Sequence, residues 1–125
     1  MNAVILDTDV IIDILRNNQK TIRQVERFSA DRVPCCSCIT IGEVYAGMLP
    51  KEEKLTQKFF QSLTKIPVTE KIAELAGRMK FFTKTHQLWL DDCLIAATAF
   101  ENQSVLVTKN VKHYPFKDIE VCRVF

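Results

Sequence analysis

Residues 3–15 read AVILDTDVIIDIL, an apolar run closed by an acid and followed by apolar positions that recur at helical spacing. Ala3 to Leu6 has the length and composition of a short buried strand, and Thr8 to Leu15 reads as a helix that starts directly after it. Asp7 therefore stands at the carboxyl end of a strand. Two roles are open to it there. Asp commonly caps a helix or bonds the backbone of a turn, and in open parallel sheets ligands bind beyond the carboxyl ends of the strands.

Outward from this stretch, three more apolar runs read as strands: Val33 to Ile39, Ser104 to Val107 and Glu120 to Val124. Helical patterns separate them. In Lys71 to Thr85, Ile72, Leu75, Ala76, Met79 and Phe82 share one face, and charged residues take the other. Cys93 to Phe100, CLIAATAF, is apolar almost all round and rich in small side chains, as expected of a helix packed between neighbours. Strands alternating with helices imply a three-layer α/β/α sandwich around a mostly parallel sheet. A chain of 125 residues is about one domain long, so residues 1–125 are expected to form a single one. Pro34, Pro50, Pro67 and Pro115 punctuate element ends, and three glycines supply no linker.

Composition narrows the class. With 47% hydrophobic and 26% charged residues, a packed core is expected rather than disorder. A formal charge of +2 permits a nucleic-acid partner without demanding one. The five cysteines, at 35, 36, 38, 93 and 122, are odd in number and lack a repeated ligand spacing, which favours free thiols over disulfides or zinc. Strand alternation would turn Cys36 and Cys38 to one face for packing. Asp7 and Asp9 break the opening apolar run, so it is neither a leader nor a membrane span, and a cytoplasmic protein is expected.

Further carboxylates fall at element junctions. Thr40-Ile41-Gly42-Glu43 has the form of a capping box, yet a first-turn Glu also projects over the strand-end crevice. Asp91 and Asp92 open the apolar helix, where the dipole favours negative charge; one can serve as N-cap, and the other then needs a partner. Ser104 to Val107 runs into Thr108-Lys109-Asn110, which is either a plain loop or a polar corner of the same crevice. Hard cations such as Mg²⁺ prefer oxygen ligands, so several carboxylates gathered in one crevice suit metal-assisted phosphodiester chemistry.

Four segments, VILDTDVIIDIL (4–15), ITIGEVYAGM (39–48), LDDCLIAATAFEN (90–102) and VLVTKNVKHYPF (105–116), give the chain its resemblance to the PIN-domain nucleases, particularly the VapC-type toxins of prokaryotic toxin–antitoxin pairs. The resemblance implies that Asp7, Glu43 and Asp92 are acidic metal ligands, with Asp91 a neighbour or cap. It puts Asn110 at a fourth site position that many members fill with Asp, and Thr108 beside it as a supporting hydroxyl. His113 falls where an acid or polar residue often stands and is read as a loop residue. The implied activity is hydrolysis of RNA with Mg²⁺ or Mn²⁺, leaving a 5′-phosphate and a 3′-hydroxyl. The implied partners are RNA, a cognate antitoxin and a second copy, as a homodimer or a hetero-oligomer with the antitoxin. Phe59 and Phe60 belong either to the antitoxin groove, to the dimer contact or, for at least one of them, to the core. Arg16, Lys109 and Lys112 are either phosphate contacts or solvated surface charges.

Two other readings compete. The strand followed by DTD imitates a haloacid-dehalogenase-type phosphatase, but there Asp91-Asp92 would have to follow Thr108-Lys109, and here they precede them. A non-catalytic PIN-like module binding RNA or protein would need the carboxylates only as caps.

Overall fold

Ala3–Leu6 (β1) is buried at every residue, which explains why its sequence is continuously apolar rather than alternating. The computed structural model describes residues 2–84 and 87–124. After β1 come Thr8–Leu15 (α1), Gln19–Phe28 (α2), Val33–Ser37 (β2), Cys38–Gly47 (α3) and Glu53–Ser62 (α4). Thr64–Ile66 (β3), Glu70–Phe82 (α5), Leu90–Glu101 (α6), Val105–Thr108 (β4) and Val121–Arg123 (β5) follow, and two short 3-10 helices lie at Pro50–Glu52 and Val111–His113. The five strands form one sheet in the order β3-β2-β1-β4-β5, and every pairing is parallel.

The period of two divides β1 between two cores. Val4 and Leu6 face Val10 and Ile11 of α1, Val44 of α3 and Phe60 of α4. Ala3 and Ile5 face Ile95, Ala96 and Ala99 of α6. On its other side α6 meets α5 through Cys93, Ala97, Ile72 and Ala76, so its alanines let it lie close to both neighbours. Helices on both faces give the three layers expected from the alternation of elements.

Several local readings change. β2 stops at Ser37, whose hydroxyl accepts the Ile39 N–H at 3.2 Å and caps α3. The helix thus begins before Thr40, no Thr40–Glu43 capping box forms, and Glu43 lies in the second turn. Cys36 is in the core while Cys38 is exposed at the start of α3, so they do not share a strand face; all five cysteines are free thiols. The N-cap of α6 is Trp89, and Asp91 and Asp92 follow inside the first turn, so neither acid is the cap. α5 ends at Phe82; the expected end at Thr85 lies outside the described residues. β3, only three residues long, was not anticipated. Phe60 is buried and stacks on Tyr45 at 5.9 Å, with half-buried Phe59 edge-on to it. Among the described residues, no helix is long and apolar enough to cross a membrane.

Ile5 and Leu106 are fully buried on adjacent central strands, whereas Leu55 is 53% exposed on α4. Ile5→Ala and Leu106→Ala should each cost about 3 kcal/mol through lost transfer energy and a residual cavity. Leu55→Ala should stay within about 0.5 kcal/mol. Urea unfolding midpoints measure the difference, and equal midpoints for all three variants would contradict this core.

Candidate active site

Leu6 pairs with Val107, which brings the carboxyl ends of β1 and β4 side by side. Asp7 continues the ladder by donating its N–H to the Val107 carbonyl at 2.9 Å, then the chain turns into α1. Its side chain is only 6% exposed, so it needs donors. Oδ1 accepts the Thr8 N–H at 2.7 Å and Oδ2 accepts the Thr108 hydroxyl at 2.7 Å. Asp7 is therefore both the cap of α1 and a fixed carboxylate at the sheet edge.

Glu43 reaches the same edge from α3. Its Oε1 accepts the Thr8 hydroxyl at 2.6 Å, and that hydroxyl lies 3.2 Å from Thr40 Oγ1. Burial first, and then a hydrogen bond to the carboxyl of Asp91, push Glu43 from its ordinary 4.5 to about 7. Asp91 also accepts the Asp92 N–H at 2.9 Å, which fixes the first turn of α6. Asp92 faces Tyr114 and His113, with Oδ1 3.5 Å from the Tyr114 hydroxyl and Oδ2 3.5 Å from His113 Nδ1. Burial, followed by the charges of Asp91 and Asp7, raises Asp92 from 3.8 to about 6. Tyr114 is itself buried, and burial together with the Asp7 and Asp92 charges holds its phenol far above its ordinary value. It acts there only as a protonated donor.

The structure also brings in Asp9, which was noted in the sequence only as an interruption. Its Oδ2 accepts the Lys109 N–H at 3.2 Å and the Asn110 amide at 3.5 Å, while Oδ1 is buried with no hydrogen-bond partner. Burial and the charge of Asp7 lift it from 3.8 to about 6. Asn110 is thus an exposed rim residue that acts on Asp9. Thr108 bonds Asp7 directly.

Two of the three cations named from the sequence, Lys109 and Arg16, pair with acids outside the cluster. Lys109 Nζ pairs with Asp13 at 2.9 Å, and Asp13 also accepts the Thr21 hydroxyl. Burial raises Asp13, but the bonds from Lys109 and Thr21 outweigh it and leave the carboxyl below its ordinary value. Arg16 is the C-cap of α1, at the helix end away from Asp7, and pairs with Glu52 at 3.3 Å. Lys112 is exposed.

Asp7, Asp9, Glu43, Asp91 and Asp92 form an all-oxygen group whose charges oppose one another, and Asp9 keeps an orphaned oxygen. This donor set matches a hard divalent cation. Among the described residues no three acidic, His or Cys side chains converge tightly enough to enclose an ion. The fit is therefore to a cation that keeps several waters and takes one or two carboxylates, as Mg²⁺ does. Asp9, Asp91, Thr8 and Tyr114 escaped the sequence reading as members of this group. For Tyr114 a signal existed, since a buried phenol needs a hydrogen-bond partner.

A family model described as the PIN domain matches residues 4–120. The chain is 30% identical over 120 residues to Ribonuclease VapC19 of Mycobacterium tuberculosis, covering 93% of this chain and 96% of that protein. In fold it resembles a chain in the crystal structure of VapBC2 from Rickettsia felis bound to a DNA fragment from their promoter. The TM-score is 0.83 at 21% identity, covering 98% of this chain and 99% of the other. A chain of a toxin–antitoxin complex from Klebsiella pneumoniae gives a TM-score of 0.78 at 24% identity, covering 94% and 95%.

Asp9, Asp92 and Glu43 all have raised values, so the folded chain binds more protons than the unfolded one between about pH 4 and about pH 7. Their contribution to stability is greatest at the acidic side of that window and is lost as pH rises through the folded values. In the presence of a chelator the melting temperature should drop by a few degrees from about pH 5 to about pH 8. Asp92→Asn should flatten that slope. Mg²⁺ or Mn²⁺ should restore more stability at the higher pH, and a metal-free melting temperature that climbs across the window would contradict the cluster.

Proposed function

The chain belongs to the PIN-domain family, and from that premise we propose that it is a metal-dependent endoribonuclease, the toxin of a toxin–antitoxin pair. The observation that carries the reading is the buried Asp7, fixed by Thr108 and Thr8, with Glu43 and Asp92 gathered beside it at the carboxyl edge of the sheet. Helix caps alone would not need this arrangement, because neither Glu43 nor Asp92 caps a helix.

Of Asp7, Asp92 and Glu43, one or two would hold Mg²⁺ or Mn²⁺ directly and the rest through the waters it keeps. Bound there, the cation would lower the pKa of a water and offset charge on the phosphate. The protein's own groups have separate tasks. Thr108 and the Thr8 N–H hold the Asp7 carboxylate in place. Glu43 is fixed at the sheet edge by the Thr8 hydroxyl, which donates to its carboxylate. Tyr114 orients Asp92 by donating from its hydroxyl. Asn110 and the Lys109 N–H hold Asp9 at the rim. Hydrolysis adds one water across a P–O bond, so hydroxide ends on phosphorus as a 5′-phosphate and a proton ends on the departing 3′-oxygen. No side-chain nucleophile is required.

Residues 1–125 act as one domain in this reading. The antitoxin partner follows from the toxin assignment, and the toxin is a homodimer, alone or within a hetero-oligomer with the antitoxin. Five free thiols and an RNA substrate suit the cytoplasm.

The direct test is cleavage of a labelled RNA by purified protein with and without divalent cation. Mg²⁺ or Mn²⁺ should be required, a chelator should abolish turnover, and Asp7→Asn and Asp92→Asn should each lower kcat by about 10²–10³-fold. Thr108→Val should lower it by about tenfold or more by releasing Asp7. Wild-type protein inactive with every divalent cation, or Asp7→Asn as active as wild type, would refute the assignment.

A further inference from the structure

Lys109 follows β4 directly and is held at two points. Its backbone N–H donates to Asp9 Oδ2 at 3.2 Å, and its ammonium pairs with Asp13 at 2.9 Å. Asp9 and Asp13 are four residues apart on α1, so their side chains share one helix face a turn apart. The Lys109 side chain thus has two carboxylates within range, one inside the acidic cluster and one outside it. Its charge is felt at both. At Asp9, burial and then the Asp7 charge push the carboxyl up to about 6, and the Lys109 charge pulls against them.

The two carboxylates differ in what else holds them. Asp13 Oδ2 also accepts the Thr21 hydroxyl at 2.8 Å and the Asn18 side-chain amide at 3.1 Å, and its carbonyl accepts the Asn18 N–H at 2.9 Å. Thr21 is fully buried and Asn18 caps α2. Asp13 is therefore fixed at the α1–α2 corner whether or not Lys109 is there. Asp9 keeps a buried Oδ1 with no hydrogen-bond partner, beside carboxylates that attract any cation able to reach them. A lysine ammonium is a compact charge on a flexible stem. Without Asp13 it would turn one helical turn back along α1 and settle on Asp9.

We propose that Asp13 is a positioning residue that holds the Lys109 ammonium outside the acidic cluster, leaving the cluster's charge to the divalent cation. This rests on the metal-dependent reading and adds to it a control on metal affinity. An ammonium tethered by a short stem competes as though present at about millimolar concentration or above. If the released ammonium occupied the cluster in about nine of ten molecules, the apparent Kd of the divalent cation would rise about tenfold.

A purely structural joint between α1 and α2 predicts something different. Losing such a joint would loosen the cluster whatever residue stood at position 109. The proposed role requires the damage to come from the Lys109 ammonium, so removing that ammonium must undo it.

The test is Mn²⁺ binding to the full chain without RNA, read from the paramagnetic resonance of the free ion. Asp13→Asn keeps the size of the side chain and an oxygen for Thr21 and Asn18, and a melting curve checks that it folds. It should bind Mn²⁺ about tenfold more weakly than wild type, and Asp13→Glu should stay within about threefold of wild type. Lys109→Met retains the backbone N–H on Asp9, and Asp13→Asn combined with Lys109→Met should return to within about twofold of wild type. A crystal structure of Asp13→Asn grown with a chelator should place Lys109 Nζ about 3 Å from the Asp9 carboxylate. In RNA cleavage, Asp13→Asn should raise the Mg²⁺ concentration for half-maximal rate by about tenfold, with kcat at saturating Mg²⁺ within about twofold. Unchanged Mn²⁺ affinity in Asp13→Asn would overturn the proposal while leaving the nuclease standing. Weakened affinity that Lys109→Met fails to restore would make Asp13 a structural joint and also overturn it. The expected Mn²⁺ pattern without RNA cleavage by wild type under any divalent cation would uphold the proposal and strike the ribonuclease reading alone. Wild type that takes no Mn²⁺ would overturn both.

Discussion

A buried 2.7 Å hydrogen bond from the Thr108 hydroxyl to Asp7 joins residues 101 positions apart and fixes where the first and fourth strands end. Asp7 cannot be buried at this edge without donors, and Thr108 can reach it only while Leu6 stays opposite Val107. A slip of one residue would turn Thr108 to the other face of the sheet, because side chains alternate. The same register sets the loop after β4, so that Lys109 N–H and Asn110 meet Asp9 and Tyr114 meets Asp92. One polar contact between two apolar strands thus aligns both the sheet and the site.

The parts of the molecule that could be read from sequence are those whose signal is local. β1 and α1 have the bounds expected because a continuous apolar run, an acid and a helical period follow one another without interruption. α6 was visible from its small apolar residues, although its cap was not, since Trp89 offers no capping side chain. β3 has three residues, two of them exposed, and so lacks any alternation to detect. The expected capping box failed because Ser37 caps α3 earlier, a choice settled by where β2 leaves the sheet. Of the site, Asp7 and Asp92 announced themselves by standing at apolar segments. Asp9 and Tyr114 did not, because their partners come from elements far along the chain.

Tolerance of so many acids at one edge depends on the layers beneath it. Ile95, Ala96, Ala97 and Ala99 of α6 are all fully buried, so the helix that presents Asp91 and Asp92 cannot easily shift away from β1 and β4. α1 is held in the same way by Val10 and Ile11. Opening the cluster to relieve its repulsion would expose apolar surface on both sides of the sheet, and the core therefore imposes the crowding.

The helix termini show which electrostatic effect wins. The dipole at the start of α6 favours carboxylates in its first turn by about 0.3–1 kcal/mol. Asp92 is nonetheless pushed upward, so burial and the nearby charges of Asp91 and Asp7 outweigh the dipole. Lys109 is paired with Asp13 and Arg16 with Glu52, and His113, 3.5 Å from Asp92, offsets its surroundings only in part. Had the acids served only to end helices, one carboxylate per terminus and a nearby Lys would have stabilised the chain better. A fold that gathers more acids than its nearby cations offset sacrifices stability at one place, and such local conflict is expected where a site must receive a charge the protein does not itself supply.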